Sequence, residues 1–137
     1  MVKKRITVAS AKAKGRNLQN WVAAKIAEIC GVTSGHSDED LIESRPMGQR
    51  GADVILRGET RRLFPYSIEC KSGQTVSWLD AMRQAKANQA KDQVSWVVIL
   101  KRKEFKVPVI MMDAEEFFRI YQKAMKNKEN NENGEKR

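Results

Sequence analysis

Helix-like and strand-like hydrophobic patterns alternate along this 137-residue chain, and this alternation restricts its fold more than any other feature. Apolar residues recur at steps of three and four in three segments, which predicts amphipathic helices over residues 16–30, 77–91 and 113–126. Short runs rich in β-branched residues predict strands over residues 52–57, 63–72, 94–100 and 107–112. The middle helix joins two strands and is long enough for a parallel crossover, so the pattern predicts a mixed α/β fold whose sheet carries helices on its faces.

Local signals set the ends of these elements. Ser77 and Asp113 precede the second and third helices, and each can accept a hydrogen bond from a free backbone amide of the first turn. Residues 58–62 are predicted to form a hairpin turn, and residues 33–50 a polar connector with at most one short element, around residues 41–42. Side chains predicted to pack in the core include Trp21, Trp78, Trp96, Phe117, Ile120, Tyr121 and Ala124.

The chain is predicted to form one domain, because 41% apolar composition over 137 residues allows one compact core and little of a second. Residues 1–14 lack a usable hydrophobic period and are predicted to be a basic, flexible arm. The domain then covers residues 15–126. Residues 127–137 are rich in Asn, Lys and Glu and are predicted to be a disordered polar tail, since they have too little apolar surface to bury.

A net charge of +9 and a pI near 9.8 favour a polyanionic partner, and nucleic acid is the natural one. Residues 1–27 carry seven basic side chains and no acidic one, so the excess is concentrated at one end. A basic face that only keeps the protein in solution is the alternative. No apolar run approaches the roughly 20 residues of a membrane-spanning helix or resembles an export signal. We therefore expect no membrane partner and a cytoplasmic location, where Cys30 and Cys70 remain free thiols.

Two carboxylates and an amine lie inside strand patterns, where charged groups are out of place. Asp53 begins one apolar run, and Glu69 and Lys71 interrupt the next. Because side chains alternate along a strand, Glu69 and Lys71 project from one face, and pairing of the two runs as a hairpin brings Asp53 close to them. Two carboxylates, helped by a backbone carbonyl near Cys70, suffice to hold Mg²⁺, which neutralises a phosphate and activates water.

Lys71 is then available to position the attacking water or to stabilise negative charge on the reacting phosphate. The competing interpretation is a cross-strand ion pair on a solvated sheet face, which any β-hairpin can carry. An Asp followed by a Glu-x-Lys leaves both interpretations open when taken alone.

The order of these residues resembles that of the PD-(D/E)xK nuclease superfamily. The segment Gly51-Ala52-Asp53, a hairpin, the segment Ile68-Glu69-Cys70-Lys71-Ser72 and a helix beginning near Trp78 are similar to its core order of helix, three strands, helix and strand, over about residues 15–112. The small size, the basic arm and Gly15 in the first helix are most similar to Holliday junction resolvases. The resemblance implies a restriction-endonuclease-like core with a central mixed sheet of four to five strands flanked by helices.

The resemblance also implies roles for individual residues. Asp53 and Glu69 become metal ligands and Lys71 the catalytic lysine, with Mg²⁺, or Mn²⁺ in its place, as cofactor. Gln19 stands where many members carry a glutamate, so it is expected to orient water or DNA. Gln84 is the candidate for the helper residue that many members carry on the helix after the lysine. Residues expected to contact DNA are Lys12, Lys14, Arg16, Gln19, Arg45, Arg50, Ser72, Arg83 and Lys86.

Three functions follow as hypotheses. The first is a Mg²⁺-dependent endonuclease for branched DNA, acting as a homodimer because a four-way junction has two-fold character. The second is another nuclease of the same superfamily, restriction-like, repair-associated or specific for single strands. The third is a non-catalytic DNA-binding module in which the acidic pair only braces the hairpin, and it predicts salt-sensitive binding that does not need metal. Nucleotide hydrolysis and acyl transfer are disfavoured, because the sequence has neither a Gly-rich phosphate loop nor a Ser/His/Asp arrangement.

Overall fold

The computed structural model describes residues 7–32, 41–75 and 77–136, which form helices and strands in alternation. In chain order the elements are α1 (Val8–Cys30), β1 (Ile42–Ser44), β2 (Val54–Leu56), α2 (Gly58–Leu63), β3 (Tyr66–Ser72), α3 (Trp78–Ala87), β4 (Ser95–Lys101), β5 (Val109–Met112) and α4 (Ala114–Glu135). The predicted mixed α/β class is confirmed. Among the described residues, no helix is long and apolar enough to cross a membrane.

The strands form two sheets instead of the single predicted sheet of four to five strands. β3 pairs in parallel with β4, and β4 pairs antiparallel with β5, in the order β3-β4-β5. The parallel crossover through α3 is therefore as predicted. β1 and β2 form a separate antiparallel pair. The two sheets meet where the backbone amide of Asp53 donates a 2.8 Å hydrogen bond to the carbonyl of Ile68 on β3.

The predicted hairpin between the second and third strands is wrong. Residues 58–63 form the short helix α2, and β2 pairs with β1 and not with β3. The cause is a long-range contact, because the buried hydroxyl of Thr60 donates a 2.7 Å hydrogen bond to the carbonyl of Leu41 just before β1. This bond ties the segment to β1, which falls on the short element predicted near residues 41–42. Residues 33–40 of the predicted connector lie outside the described residues.

Apolar side chains cover both faces of the three-stranded sheet. On one face, Ile68 and Cys70 of β3 pack against Leu18, Val22 and Ile26 of α1. On the other face, α3 contributes Ala81 and Ala85, which lie over residues of β4: Trp96, Val98 and Leu100. Since alternate residues of β3 point to opposite faces, Glu69 and Lys71 lie on the side opposite to Ile68 and Cys70. Cys30 and Cys70 are both free thiols.

α1 begins eight residues earlier than predicted, so residues 8–14 of the predicted arm are helical. Thr7 caps the helix, because its hydroxyl accepts a 3.1 Å hydrogen bond from the amide of Ser10. Three alanines follow among residues 8–14, and alanine has the highest intrinsic helix propensity, so the helix extends without an apolar stripe. Residues 1–6 of the predicted arm lie outside the described residues.

The other two long helices begin where the sequence predicts. Ser77 accepts from the amide of Asp80 at the start of α3, and Asp113 accepts from the amide of Glu115 at the start of α4. Their ends differ from prediction, because α3 stops at Ala87 and α4 continues to Glu135. α4 therefore crosses most of the predicted disordered tail, since the Lys-, Asn- and Glu-rich segment propagates a helix that is already nucleated.

Several predicted core side chains are exposed instead. Of the three tryptophans only Trp96 is buried, whereas Trp21 and Trp78 are 43% and 49% exposed. The predicted core face of α4 is also wrong: Phe117, Ile120, Tyr121 and Ala124 all lie on the surface. Helical periodicity therefore identified which side chains share a face but not whether this chain covers that face.

Candidate active site

Asp53 is fixed by its backbone on both sides before β2 begins. Its amide donates to Ile68 of β3, and its carbonyl accepts a 2.8 Å hydrogen bond from the amide of Arg45. Its carboxylate Oδ2 accepts a 2.6 Å hydrogen bond from the amide of Cys70. The acidic side chain is thus held against β3 without the predicted hairpin, because three main-chain groups locate it.

Glu69 and Lys71 lie two residues apart on one face of β3. Lys71 Nζ is 3.1 Å from Glu69 Oε1. Glu69 is 5% exposed, whereas the Lys71 side chain is about one-third exposed. The pair therefore presents an amine to solvent and a carboxylate to the interior, and the predicted juxtaposition of Glu69 with Lys71 is confirmed.

Burial raises the pKa of both carboxyl groups. For Asp53, burial is the largest cause, opposed by the Cys70 amide, the charges of Lys71 and Arg45, and a hydrogen bond from Gln19. Burial also raises the pKa of Glu69, the negative charge of Asp53 raises it further, and Lys71 lowers it. The negative charge of Asp53 therefore disfavours ionisation of Glu69, and a cation bound between the two carboxylates would reverse that effect.

Gln19 lies on α1 beside Asp53, the position that the resemblance implied for it, but it is buried and does not face solvent as a DNA contact would. It is buried on α1, where its Oε1 accepts a 3.0 Å hydrogen bond from the hydroxyl of Ser44 on β1. Its side chain also lies beside the Asp53 carboxylate and lowers the pKa of that group. Direct contact with DNA is therefore not expected of Gln19, because its polar atoms are already used to link α1, β1 and Asp53. The sequence carried a weak signal for this role, since Gln19 lies one residue after the core residue Leu18.

Arg45 braces the loop that leads to Asp53. Its Nε donates a 2.6 Å hydrogen bond to the carbonyl of Ala52, and its charge lowers the pKa of Asp53. Gly51 allows this approach, because it has a φ of +118°, and a Cβ there would lie 2.7 Å from Arg45 Nη2. Arg45 was predicted as a DNA contact, whereas the structure shows it half-buried against the backbone.

Cys70 contributes its main chain and not its thiol. In a strand the carbonyl of a residue points to the same side as its amide, so the Cys70 carbonyl faces the edge occupied by Asp53. The thiol is buried among the α1 contacts, and burial raises its pKa well above the usual value. Among the described residues, no three His, Cys, Asp or Glu side chains group together to hold a metal. Any cation site here therefore consists of two carboxylates and a carbonyl, a set that suits Mg²⁺ because Mg²⁺ retains several waters.

A cleft of about 1440 Å³ lies between α1, the end of β3 and the β4–β5 turn, and Asp53, Glu69 and Lys71 are not among the residues that line it. It begins at Ser72, the neighbour of Lys71, and it is lined by Lys14 and by the half-exposed Trp21. The turn adds three cationic residues, Lys101, Arg102 and Lys103. No local pattern predicts that this turn faces α1, because the contact joins residues more than 70 positions apart. We call this region the α1 cleft.

The remaining predicted residues lie away from Asp53 and Glu69. Lys12 and Arg16 are exposed on α1, and Arg50 is exposed in the loop before Asp53. Gln84 is exposed on α3, and its side chain makes no hydrogen bond to Asp53, Glu69 or Lys71. Also on α3, Arg83 Nη1 lies 3.4 Å from Asp80 Oδ1, and Lys86 Nζ lies over the Trp96 ring.

Comparisons of this chain with protein families, with curated proteins and with solved structures gave no match.

Proposed function

We propose that the chain is a Mg²⁺-dependent DNA endonuclease whose active site consists of Asp53, Glu69 and Lys71. The proposal rests mainly on one observation: the amide of Cys70, next to Glu69, anchors the Asp53 carboxylate to the strand that carries Glu69 and Lys71. Two carboxylates with raised pKa values beside one lysine are the kind of arrangement that phosphodiester hydrolysis requires. The restriction-endonuclease-like core is part of this proposal.

Asp53 and Glu69, with the Cys70 carbonyl, would hold the cation. Bound there, Mg²⁺ supplies positive charge to the phosphate and lowers the pKa of a coordinated water. Lys71 is positioned by Glu69 and its side chain is about one-third exposed, so its amine can donate hydrogen bonds to the phosphate or to the attacking water. Gln19 would orient Asp53, because a buried side chain beside a metal ligand commonly holds that ligand in place.

DNA is favoured as the substrate by charge and by shape. The net charge is +9, and cationic residues line both walls of the α1 cleft, which also includes Ser72. Branched DNA is the substrate expected from the superfamily resemblance, and a homodimer would supply two sites for a two-fold junction. Gln84 remains the proposed helper residue, and Mn²⁺ the proposed substitute for Mg²⁺.

The test is a cleavage assay with end-labelled linear duplex, single-stranded and four-way-junction DNA, with Mg²⁺ or with a chelator. We expect Mg²⁺-dependent cutting by the wild type, and loss of cutting in Asp53→Ala and in Glu69→Ala. Asp80→Ala is the matched control, since Asp80 is an exposed carboxylate on α3. Cutting that persists in both site variants would refute the assignment.

A non-catalytic DNA-binding module is the second candidate. It is favoured by Gln19, because an amide stands where a third buried carboxylate would complete the metal site, and by the absence of a three-carboxylate group among the described residues. In that case the same assay yields no product with any substrate, whereas DNA binding is retained, weakens with salt and does not respond to metal.

A further inference from the structure

α4 is a long helix that the rest of the described chain hardly covers. It spans 22 residues, and Glu116 is its only buried residue. Its contact with the core is a 2.5 Å hydrogen bond from the Tyr66 hydroxyl to Glu116 Oε1. Isolated helices are marginally stable in water, so a helix of this length normally depends on a packed face.

The exposed side of α4 is strongly apolar. At 100° per residue its large apolar side chains occupy one arc of roughly 160°. Their exposed fractions are 48% for Phe117, 67% for Phe118, 40% for Ile120, 58% for Tyr121 and 45% for Met125. Phe117 stacks on Tyr121 and meets Phe118 edge to face, so the aromatic rings form one continuous surface. We call these five residues the α4 apolar face.

The segments outside the described residues carry few apolar side chains. Residues 33–40 read Thr-Ser-Gly-His-Ser-Asp-Glu-Asp and contain none. Residues 1–6 combine Met1, Val2 and Ile6 with three consecutive cationic side chains, and Val76 is a single residue. A continuous exposed apolar surface of this kind is typical of a site of contact with another protein molecule.

A second copy of α4 is complementary to the first when the two run antiparallel. With a two-fold axis near Tyr121, Tyr121 meets its counterpart, Phe117 meets Met125 and Phe118 meets Ala124. The charges agree with this arrangement, because Lys128 would lie level with Ala114 of the other copy, one residue from Asp113, and Asp113 and Lys128 lie on the same side of the helix. A parallel arrangement would instead place Lys128 beside Lys128 and align the two helix dipoles unfavourably.

We propose that the α4 apolar face is a homodimer interface, in which two α4 helices pack antiparallel across a two-fold axis close to Tyr121. An isologous contact of this kind closes on itself and leaves no further copy of the face exposed. The interface needs neither metal nor DNA. The dimer proposal can therefore be disproved without disproving the proposed nuclease activity, and the nuclease proposal can be disproved without disproving the dimer.

Light scattering after gel filtration tests the dimer first. The expected mass of the wild type at micromolar concentration is twice the chain mass of 15.6 kDa. Phe117→Glu with Tyr121→Glu should give a folded monomer, as judged by circular dichroism, whereas Lys123→Glu on the opposite side of α4 should remain a dimer. A monomeric wild type, or a double variant that remains dimeric, would overturn the proposal.

Cysteine cross-linking tests the orientation. Under mild oxidation Tyr121→Cys should form disulfide-linked dimers, and Lys123→Cys should form no more than the wild type, whose own thiols are Cys30 and the buried Cys70. A mixture of Phe117→Cys and Met125→Cys chains should cross-link mainly to each other. Cross-linking of Phe117→Cys to itself would mean that the helices are parallel, and this part of the proposal would be wrong.

Discussion

The amide of Cys70 donates a 2.6 Å hydrogen bond to the carboxylate of Asp53, and so joins the loop before β2 to the strand that carries Glu69 and Lys71. This bond holds the half-buried Asp53 carboxylate near the buried Glu69 carboxylate at a cost, since loss of solvent raises the pKa of each. Without a cation the cluster should therefore destabilise the fold at neutral pH.

Asp53→Asn should stabilise the metal-free protein at pH 7. An acid whose pKa is raised by folding binds its proton more tightly in the fold, so its stabilising contribution is largest below the unfolded pKa of about 4 and is lost as the pH rises through the folded value. Asparagine keeps an acceptor for the Cys70 amide and removes the charge. Thermal melts in a chelator between pH 4 and 8 should show that the melting temperature of the variant, relative to that of the wild type, increases as the pH rises. A constant difference across this range would contradict the assignment.

Divalent metal should have the opposite effect on the same pair of proteins. Mg²⁺ or Mn²⁺ should raise the melting temperature of the wild type, because a ligand that binds only the folded state stabilises it, and should raise that of Asp53→Asn much less. Asp80→Asn is the control and should respond like the wild type. Equal shifts in all three proteins would place the bound metal elsewhere.

Gln19→Glu should strengthen metal binding and weaken the metal-free fold. The new carboxylate would lie beside Asp53 and could still accept from the Ser44 hydroxyl. We expect about a tenfold gain in Mn²⁺ affinity, the lower end of the effect that such neighbouring groups have on metal sites. Isothermal titration calorimetry measures the Mn²⁺ affinity, and a thermal melt in chelator measures the loss of stability of the metal-free protein. Unchanged affinity would mean that Gln19 does not border the cation.

Trp21 should contact single-stranded DNA in the α1 cleft. Its ring is 43% exposed and lies among cationic residues, which suits stacking of a base. Binding of an unlabelled oligothymidylate in chelator should quench the tryptophan fluorescence of the wild type and of Trp78→Phe, but not of Trp21→Phe. Trp78 is the matched control because it is similarly exposed on α3. Loss of quenching in Trp78→Phe alone would assign the DNA surface to α3.

Gly51→Ala should destabilise the loop before Asp53 more than Gly48→Ala does. Both glycines have positive φ values, +118° and +85°, so either substitution should cost roughly 1–3 kcal/mol in backbone strain. Only at Gly51 would the added Cβ also strike the Arg45 guanidinium, since nothing lies within 4 Å of a Cβ at Gly48. Denaturant unfolding of the two variants measures the difference. Equal losses of unfolding free energy in the two variants would show that the Arg45 side chain moves aside at no cost.

Local signals predicted much of this fold. The caps at Ser77 and Asp113 and the crossover through α3 depend on residues close in sequence, and each was predicted correctly. Glu69 and Lys71 share a face because strand geometry requires it. These features need no knowledge of distant contacts.

Long-range contacts explain the failures. The predicted turn after β2 became a helix whose Thr60 bonds to Leu41, nineteen positions away. Gln19 was expected to face DNA but is bonded to Ser44, twenty-five positions away. The approach of Asp53 to Glu69 was predicted for the wrong reason, because hydrogen bonds from Asp53 to Ile68 and Cys70 of β3, and not a hairpin, bring them together. No pattern within one segment contains this information.

The split into two sheets has a mechanical consequence. Asp53 lies at the end of the β1–β2 pair and Glu69 lies in the three-stranded sheet, and hydrogen bonds between Asp53 and β3 join the two sheets. α1 packs against both sheets and so helps to set the angle between them. A substitution in α1 that altered this packing should therefore change the spacing of the two acids without replacing either of them.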